Sequence, residues 1–363
     1  MATQKIIRYG KSMFDVLSIK SDFFNENEVH LNEMRRIAAI YKQQPARTQC
    51  KICGTKLPTQ KYFTSHTIDY FLCCCCGHLN GHHEDTKRFA DEIYLDQYGK
   101  NYIAKADTTQ HNTTQHNTTQ HNTTHYTTRL DSVYMPKAKF LKDSLQTLGI
   151  DYSKFEFLDV GAGSGYMVGA LQRLGLSASG IEVSEQQVEY GNRMLEGDYL
   201  SVREQDDIAN TVLTTTAQVL CFIGVLEHIS DLTTMLENIR KNKNIEYVFF
   251  SVPMVSLSCI IESIFPDVFN RQLGGTHTHL FTKQSLEWMY ANYGFIPQAK
   301  WHFGTDIMDI YRSIVVMLKK NNPNMDIIQD VSDIFKRNAD GMQLLLDCSE
   351  YASEIHVLVK AHQ

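Results

Sequence analysis

Six of the nine cysteines fall between positions 50 and 76. Four of them form two matching knuckles, Cys50-x-x-Cys53-Gly and Cys73-x-x-Cys76-Gly. Each C-x-x-C-G turn can present two thiolates to one ion, and two such turns complete the tetrahedral four-sulfur shell of structural zinc. Cys50, Cys53, Cys73 and Cys76 are therefore the expected ligands of a Zn2+ ion with a structural role, because four thiolates leave no open coordination position. Clustering of this kind also points to a reducing compartment rather than to a disulfide framework. Cys74 and Cys75 offer another pairing but not the x-x spacing with a following glycine, and read as spare or buried thiols. His78, His82 and His83 lie near enough to replace one cysteine.

A second chemistry lies in FEFLDVGAGSGYMVGAL, from Phe155 to Leu171. An apolar strand ends at Asp159, and Gly161, Gly163 and Gly165 follow at alternate positions before a helix. Small residues permit a tight turn and close approach of a ligand, and free N–H groups at a helix start favour anionic groups. A dinucleotide fingerprint, G-x-G-x-x-G, would place its third glycine at position 166, which is Tyr166. The next strand, SASGIEV, carries Glu182 at its tip, where a carboxylate can accept both ribose hydroxyls of an adenosine. Asp206, Asp207 and Ile208 come after the third strand, expected near 199–204. His228 follows the fourth strand, at the edge where open α/β sheets bind ligands. His277 and His279 sit in GGTHTH, a polar segment read as a loop over the substrate. Each histidine is a candidate general base, with His228 first; the alternative for each is a role in orienting structure or substrate.

The pattern D-x-G-x-G-x-G resembles motif I of the class I S-adenosylmethionine (SAM)-dependent methyltransferases. VLCFIGVLEHISDL (Val219–Leu232), with its tetrad Val225, Leu226, Glu227 and His228, resembles the fourth-strand segment of the small-molecule members. HTHLFTKQSLEWMYANYGF (His277–Phe295) is similar to their H-x-x-x-F-T-x-x-S-L…G-F segment. The resemblance covers roughly 155–300 in order. It implies SAM as cofactor, held by Asp159, Gly161, Gly163, Gly165 and Glu182. It further implies that Asp206 or Asp207 receives the adenine amino group and that Ile208 lies against the ring. The zinc module resembles that of methyltransferases acting on nucleotide-linked sugars in bacterial surface-polysaccharide (capsule) pathways, whose tyrosine-rich helix closes over the cofactor. Here Tyr94, Tyr98 and Tyr102 form such a stripe, which core packing also explains. Sugar C-methyltransferases usually carry a longer second α/β domain, whereas only residues 305–363 follow Gly304, so O- or N-methylation is favoured over C-methylation.

The elements that must position these residues follow from periodicity. Val29, Met34, Ile37, Ile40 and Tyr41 recur at helical spacing up to Pro45, and a charged helical stretch spans Glu84 to Tyr102. TTQHN then repeats over 108–122 with no apolar face to bury, which reads as a linker, although His111, His116 and His121 make a weak metal-binding tract. From Met135 strands alternate with helices, and EIHVLVK (Glu354–Lys360) is the expected final antiparallel strand. The expected fold is α/β: a Rossmann-like, seven-stranded, mostly parallel sheet with helices on both faces, plus a small N-terminal four-cysteine zinc module. The expected domains are 1–106 (helical and zinc-binding), 107–128 (linker) and 129–363 (SAM-binding).

At 363 residues and 43% hydrophobic, the chain can fill a core, which excludes wholesale disorder. A formal net charge of -6 argues against a large basic surface for nucleic acid and tips the expected partner toward a small-molecule acceptor. An RNA methyltransferase gripping RNA through the zinc module, and a non-catalytic SAM- and zinc-binding assembly protein, are the alternatives. The first 20 residues lack an apolar signal core. The longest apolar run, Tyr247–Ile261, is too short and polar to insert in a bilayer. A cytoplasmic location is expected; oligomeric state is open.

Overall fold

The computed structural model describes residues 4–5, 26–90, 92–93, 124–274, 277–321 and 325–362. The TTQHN repeat with its three histidines, and Tyr94, Tyr98 and Tyr102, lie outside the described residues.

The N-terminal part begins with a two-residue strand, Gln4–Lys5 (β1), and helix α1, Asn27–Tyr41. Leu31, Ile37, Ala38 and Tyr41 form the buried face of α1. Val29, read from periodicity as part of that stripe, is 65% exposed, and Leu31 takes the inward position. Three short strands follow as an antiparallel meander: Phe63–Ser65 (β2), Ile68–Leu72 (β3) and Leu79–Gly81 (β4).

The large sheet comprises Glu156–Val160 (β5), Ser177–Glu182 (β6), Leu200–Val202 (β7), Val219–Ile223 (β8), Tyr247–Pro253 (β9), Ile296–His302 (β11) and Glu354–Lys360 (β12). Its order is β1-β11-β12-β9-β8-β5-β6-β7. The seven expected strands are present, and β1 adds a short edge beside β11. All pairs are parallel except those of β12, which runs antiparallel between β9 and β11. The short strand His279–Leu280 (β10) does not join this sheet. It pairs with β4 and completes the N-terminal meander as β10-β4-β3-β2, with His279 opposite Asn80.

Helices cover the parallel strands because β5, β8 and β9 are apolar on both faces. Tyr166–Arg173 (α3, after Met135–Thr147 as α2) and Glu185–Leu195 (α4) follow β5 and β6. Gln205–Thr214 (α5) and Leu232–Lys241 (α6) follow β7 and β8. The module is fused to this core: Cys50, Ile52, Leu57, Cys73 and Cys76 share one buried cluster with Leu226, Leu236, Phe281 and Leu286. No helix among the described residues is long and apolar enough to cross a membrane.

Two helices, Asp306–Asn321 and Met325–Cys348, stand between β11 and β12 and pack on each other through Tyr311 and Phe335, whose ring centroids are 5.0 Å apart. Beneath them lies a buried ionic network. The Arg271 guanidinium donates bidentately to Asp309, at 3.0 and 2.9 Å, and Glu262 accepts the backbone N–H groups of Arg271, Gln272 and Leu273. Burial, reinforced by the Asp309 charge, outweighs these hydrogen bonds and lifts the Glu262 carboxyl to about 7 from 4.5. Arg312, opposite it, pulls the other way. The raised folded-state value makes Glu262 stabilising below pH ~4.5, and this contribution, about 3 kcal/mol, is lost as pH rises through about 7. Urea denaturation at pH 5 and pH 8 is expected to show a fall for the wild type that is smaller by that amount in Glu262→Gln; equal falls would contradict this account.

Candidate active site and metal centre

The sheet changes direction of growth at β5. The chain runs outward through β6 and β7, then returns to β8 on the other side of β5. A crevice opens outside the carboxyl ends of the strands at such a switch point. β5 and β8 deliver the glycine turn and the Val225–His228 segment to that point.

Gly161, Gly163 and Gly165 have φ of 71°, 54° and 75°. Gly161 shows why the turn needs glycine: a Cβ there would meet the Val225 side chain at 2.8 Å, so β5 and β8 approach closely only without one. The N–H groups of Gly161 and Ala162 donate to the Ile181 carbonyl, tying the turn to β6. Gly165 then caps α3. Glu182, buried at the tip of β6, accepts the N–H groups of Gly163 (2.9 Å), Val183 (2.8 Å) and Ser184 (3.1 Å). Three of about four lone-pair sites are thus used and the carboxylate is fixed in place, with capacity for a further donor. Asp159 sits buried below the turn, where burial, and then the Glu182 charge, push its carboxyl well above the usual range.

Asp206 and Asp207 fall in the first turn of α5, both exposed, and Asp206 pairs with Lys87 at 2.6 Å. Ile208 is half-buried against the main core cluster. Tyr126 carries no signal in the sequence. It lies in the TTHYTT segment read as linker, yet residues 124–129 are helical and Tyr126 is buried. Its hydroxyl donates to the Ser164 carbonyl at 3.0 Å, and its ring stacks on Tyr166 at 4.4 Å, clamping the turn from outside. An isolated tyrosine in a low-complexity tract gave no periodic signal.

At the end of β8 the structure brings His228 together with His277. Their rings are 5.1 Å apart, and the buried Glu227 joins them, its Oε1 3.9 Å from His228 Nε2. Burial lifts the Glu227 carboxyl to about 8 and lowers the His277 imidazole to about 4, so His277 is neutral at physiological pH. His279 is placed differently. Fully buried, it donates through Nε2 to the Glu227 carbonyl at 2.6 Å, with Lys51 Nζ also near, while its Nδ1 lies 2.8 Å from His78 Nε2. With both ring nitrogens engaged, His279 positions Glu227 and cannot take a proton from a substrate.

Behind it stand the four cysteines. Cys50 and Cys76 have their sulfurs 3.5 Å apart, as do Cys53 and Cys73, and all four lie within 4.8 Å of one another. A tetrahedron with Zn–S bonds of about 2.3 Å has edges near 3.8 Å, so this sulfur cage fits the ion. Backbone bonds from Gly54 to Cys50 and from Gly77 to Cys73 close the two knuckles identically, each at 2.9 Å. Asn80 Nδ2–H points at Cys50 Sγ, 3.5 Å away. Cys74 and Cys75 are exposed and outside the cage.

Residues 133–298 match a family model described as a methyltransferase domain, the span that holds the glycine turn, Glu182, Glu227, His228 and His277. No curated protein matches the chain. Similar solved structures include a plantazolicin methyltransferase in complex with SAH (11% identity, TM-score 0.43, covering 76% of this chain and 94% of that one). Another is the magnesium protoporphyrin IX methyltransferase from Synechocystis PCC 6803 with SAH (15% identity, TM-score 0.39, covering 58% and 90%). A third is the geranyl diphosphate C-methyltransferase from Streptomyces coelicolor A3(2) (14% identity, TM-score 0.36, covering 62% and 75%).

Proposed function

We propose that the chain is a SAM-dependent methyltransferase acting on a small, sugar- or phosphate-bearing acceptor at oxygen or nitrogen. The observation that carries this reading is the Glu182 carboxylate, fixed at the tip of β6 and bonded to Gly163 in the glycine turn, within the segment that matches a methyltransferase domain. Glu182 would accept a ribose hydroxyl at the one lone-pair site its backbone bonds leave free, one hydroxyl rather than the two expected from the sequence. The Gly161–Gly165 turn would hold the amino-acid end, and Asp206 or Asp207 with Ile208 the adenine. SAM, when bound, supplies a methyl group already made electrophilic by its sulfonium.

What remains for the protein is placement of the acceptor, exclusion of water and, for a hydroxyl or amide, management of a proton. Orientation of this kind can contribute about 7–11 kcal/mol. Glu227, His228 and His277, which lie together after β8, are the groups that would act on the acceptor. The four cysteines would hold a structural zinc that fixes the wall behind them. The resemblance of the cysteine module to surface-polysaccharide methyltransferases favours an acceptor from such a pathway.

Incubation with labelled SAM and a panel of nucleotide sugars and phosphorylated small molecules, read by mass spectrometry, tests this. Transfer to one of them is expected. The reading fails if no compound gains a methyl group and calorimetry detects no SAM binding.

A further inference from the structure

We propose that Glu227, His228 and His277 form a second metal site, separate from the cysteine cage and open on one side, for a divalent first-row cation. One ligand atom from each of the three residues lies within 4.8 Å of the others. Ligands about 2.0–2.2 Å from a common ion stand roughly 3–3.5 Å apart, so small side-chain rotations close the set. The 3.9 Å between Glu227 and His228 is too long for a hydrogen bond yet suited to two ligands converging on one ion.

Burial supplies the independent observation. Glu227 is 4% exposed, and its Oε2 has no hydrogen-bond partner among the described residues; neither has the buried Nδ1 of His277. Leaving such groups unpaired costs about 1–3 kcal/mol each. A cation between them satisfies both atoms at once. The site is also held from behind, since the His279 Nε2–H bond to the Glu227 carbonyl fixes the backbone that carries the carboxylate.

Ligand chemistry separates this site from the cage. Four thiolates make a closed, soft site for zinc, whereas two imidazoles and one carboxylate suit Zn2+, Fe2+, Mn2+ or Co2+ and leave positions for exogenous oxygen. Glu227 and His228 follow directly on β8, at the carboxyl end of that strand, where the crevice lies. An acceptor offering two adjacent oxygen donors, such as a diol or a hydroxyl beside a phosphate, would fill the open positions; this last clause rests on the methyltransferase reading.

Metal stoichiometry of the full chain tests the proposal. After dialysis against Zn2+ and then metal-free buffer, elemental analysis is expected to find two ions per wild-type chain. One ion is expected in Glu227→Gln and one in His277→Asn, two independent variants that leave the cysteines intact. With Co2+ in place of Zn2+, the thiolate-to-cobalt absorption should persist in both variants at wild-type intensity. A single ion in the wild type, or two ions in both variants, would overturn the proposal. SAM calorimetry on the same samples separates the two readings: two ions without SAM binding keeps the metal site and removes the methyltransferase assignment, whereas one ion with SAM binding does the reverse.

Discussion

Glu182→Ala is expected to lower SAM affinity by about 10–10²-fold in isothermal calorimetry. The one lone-pair site that the backbone leaves free on this carboxylate can accept one ribose hydroxyl; such a hydrogen bond to a charged group contributes about 1.5–3 kcal/mol, and every 1.4 kcal/mol is tenfold. The same substitution releases the N–H groups of Gly163, Val183 and Ser184, which all donate to this carboxylate. The turn would therefore loosen as the ligand contact disappears, and the effect should sit toward the upper end of that range. Gly161→Val is the companion variant. Its φ of 71° is strained for any side chain, and its Cβ would sit 2.8 Å from Val225. SAM binding is expected to be lost there with Glu182 intact. Affinity within threefold of wild type in both variants would remove the adenosine site from this crevice.

Loss of metal from the four-cysteine site is expected to cost the most stability. Replacing Cys53 with serine, or stripping the protein with a strong chelator, is expected to lower the melting temperature by at least about 10 °C. Structural zinc in small sites contributes about 10–16 kcal/mol of apparent binding energy, and 1 kcal/mol moves the midpoint of a domain of 150–250 residues by about 2–4 °C. Damage should spread beyond the knuckles, because Cys50, Cys73 and Cys76 are part of the core cluster that contains Leu226 and Leu236. A route from the cysteines to the candidate site is also visible. Asn80 contacts Cys50 Sγ and accepts the Lys51 N–H, Lys51 Nζ reaches His279, and His279 holds the Glu227 carbonyl. Intrinsic fluorescence and circular dichroism during chelation give the readout. An unchanged melting curve after full metal loss would show that the cysteines do not organise this part of the fold.

How much of this was legible in the sequence depended on whether the signal was local. The four-cysteine cluster, the turn at Gly161, Gly163 and Gly165 and the place of Glu182 at a strand tip were legible, because a tight turn needs particular residues at fixed spacing. Helix Lys283–Tyr293 and the β12 strand were found with the same bounds, since apolar periodicity is also local. Misses arose where partners are distant in the chain. Val29 has the spacing of a buried residue and is exposed, because which face of α1 turns inward is decided by what packs on it. The helices Asp306–Asn321 and Met325–Cys348 carry Ile307, Ile310, Ile314 and Leu318 at helical intervals but lie beyond the segment that the family resemblance covers. His279 and His277 look alike in GGTHTH. Only the pairing of His279 with Asn80, 199 positions earlier, turns one ring into the interior while the other stays beside His228.

That pairing has a consequence for the order in which the protein is made. A ribosome releases the N-terminal end first, so both knuckles emerge and can capture zinc while most of the chain is still unsynthesised. The edge of β4 nevertheless stays unpaired until His279 and Leu280 appear. Throughout that interval the half-finished meander offers an open strand edge, the kind of template on which nascent chains associate. Closing it needs a contact across most of the intervening sequence, which is slow for reasons of chain entropy. A nascent chain stalled before residue 280 is thus expected to bind zinc and yet be prone to aggregation, since the last step of the small sheet waits until strands β5 to β9 of the large one have been made.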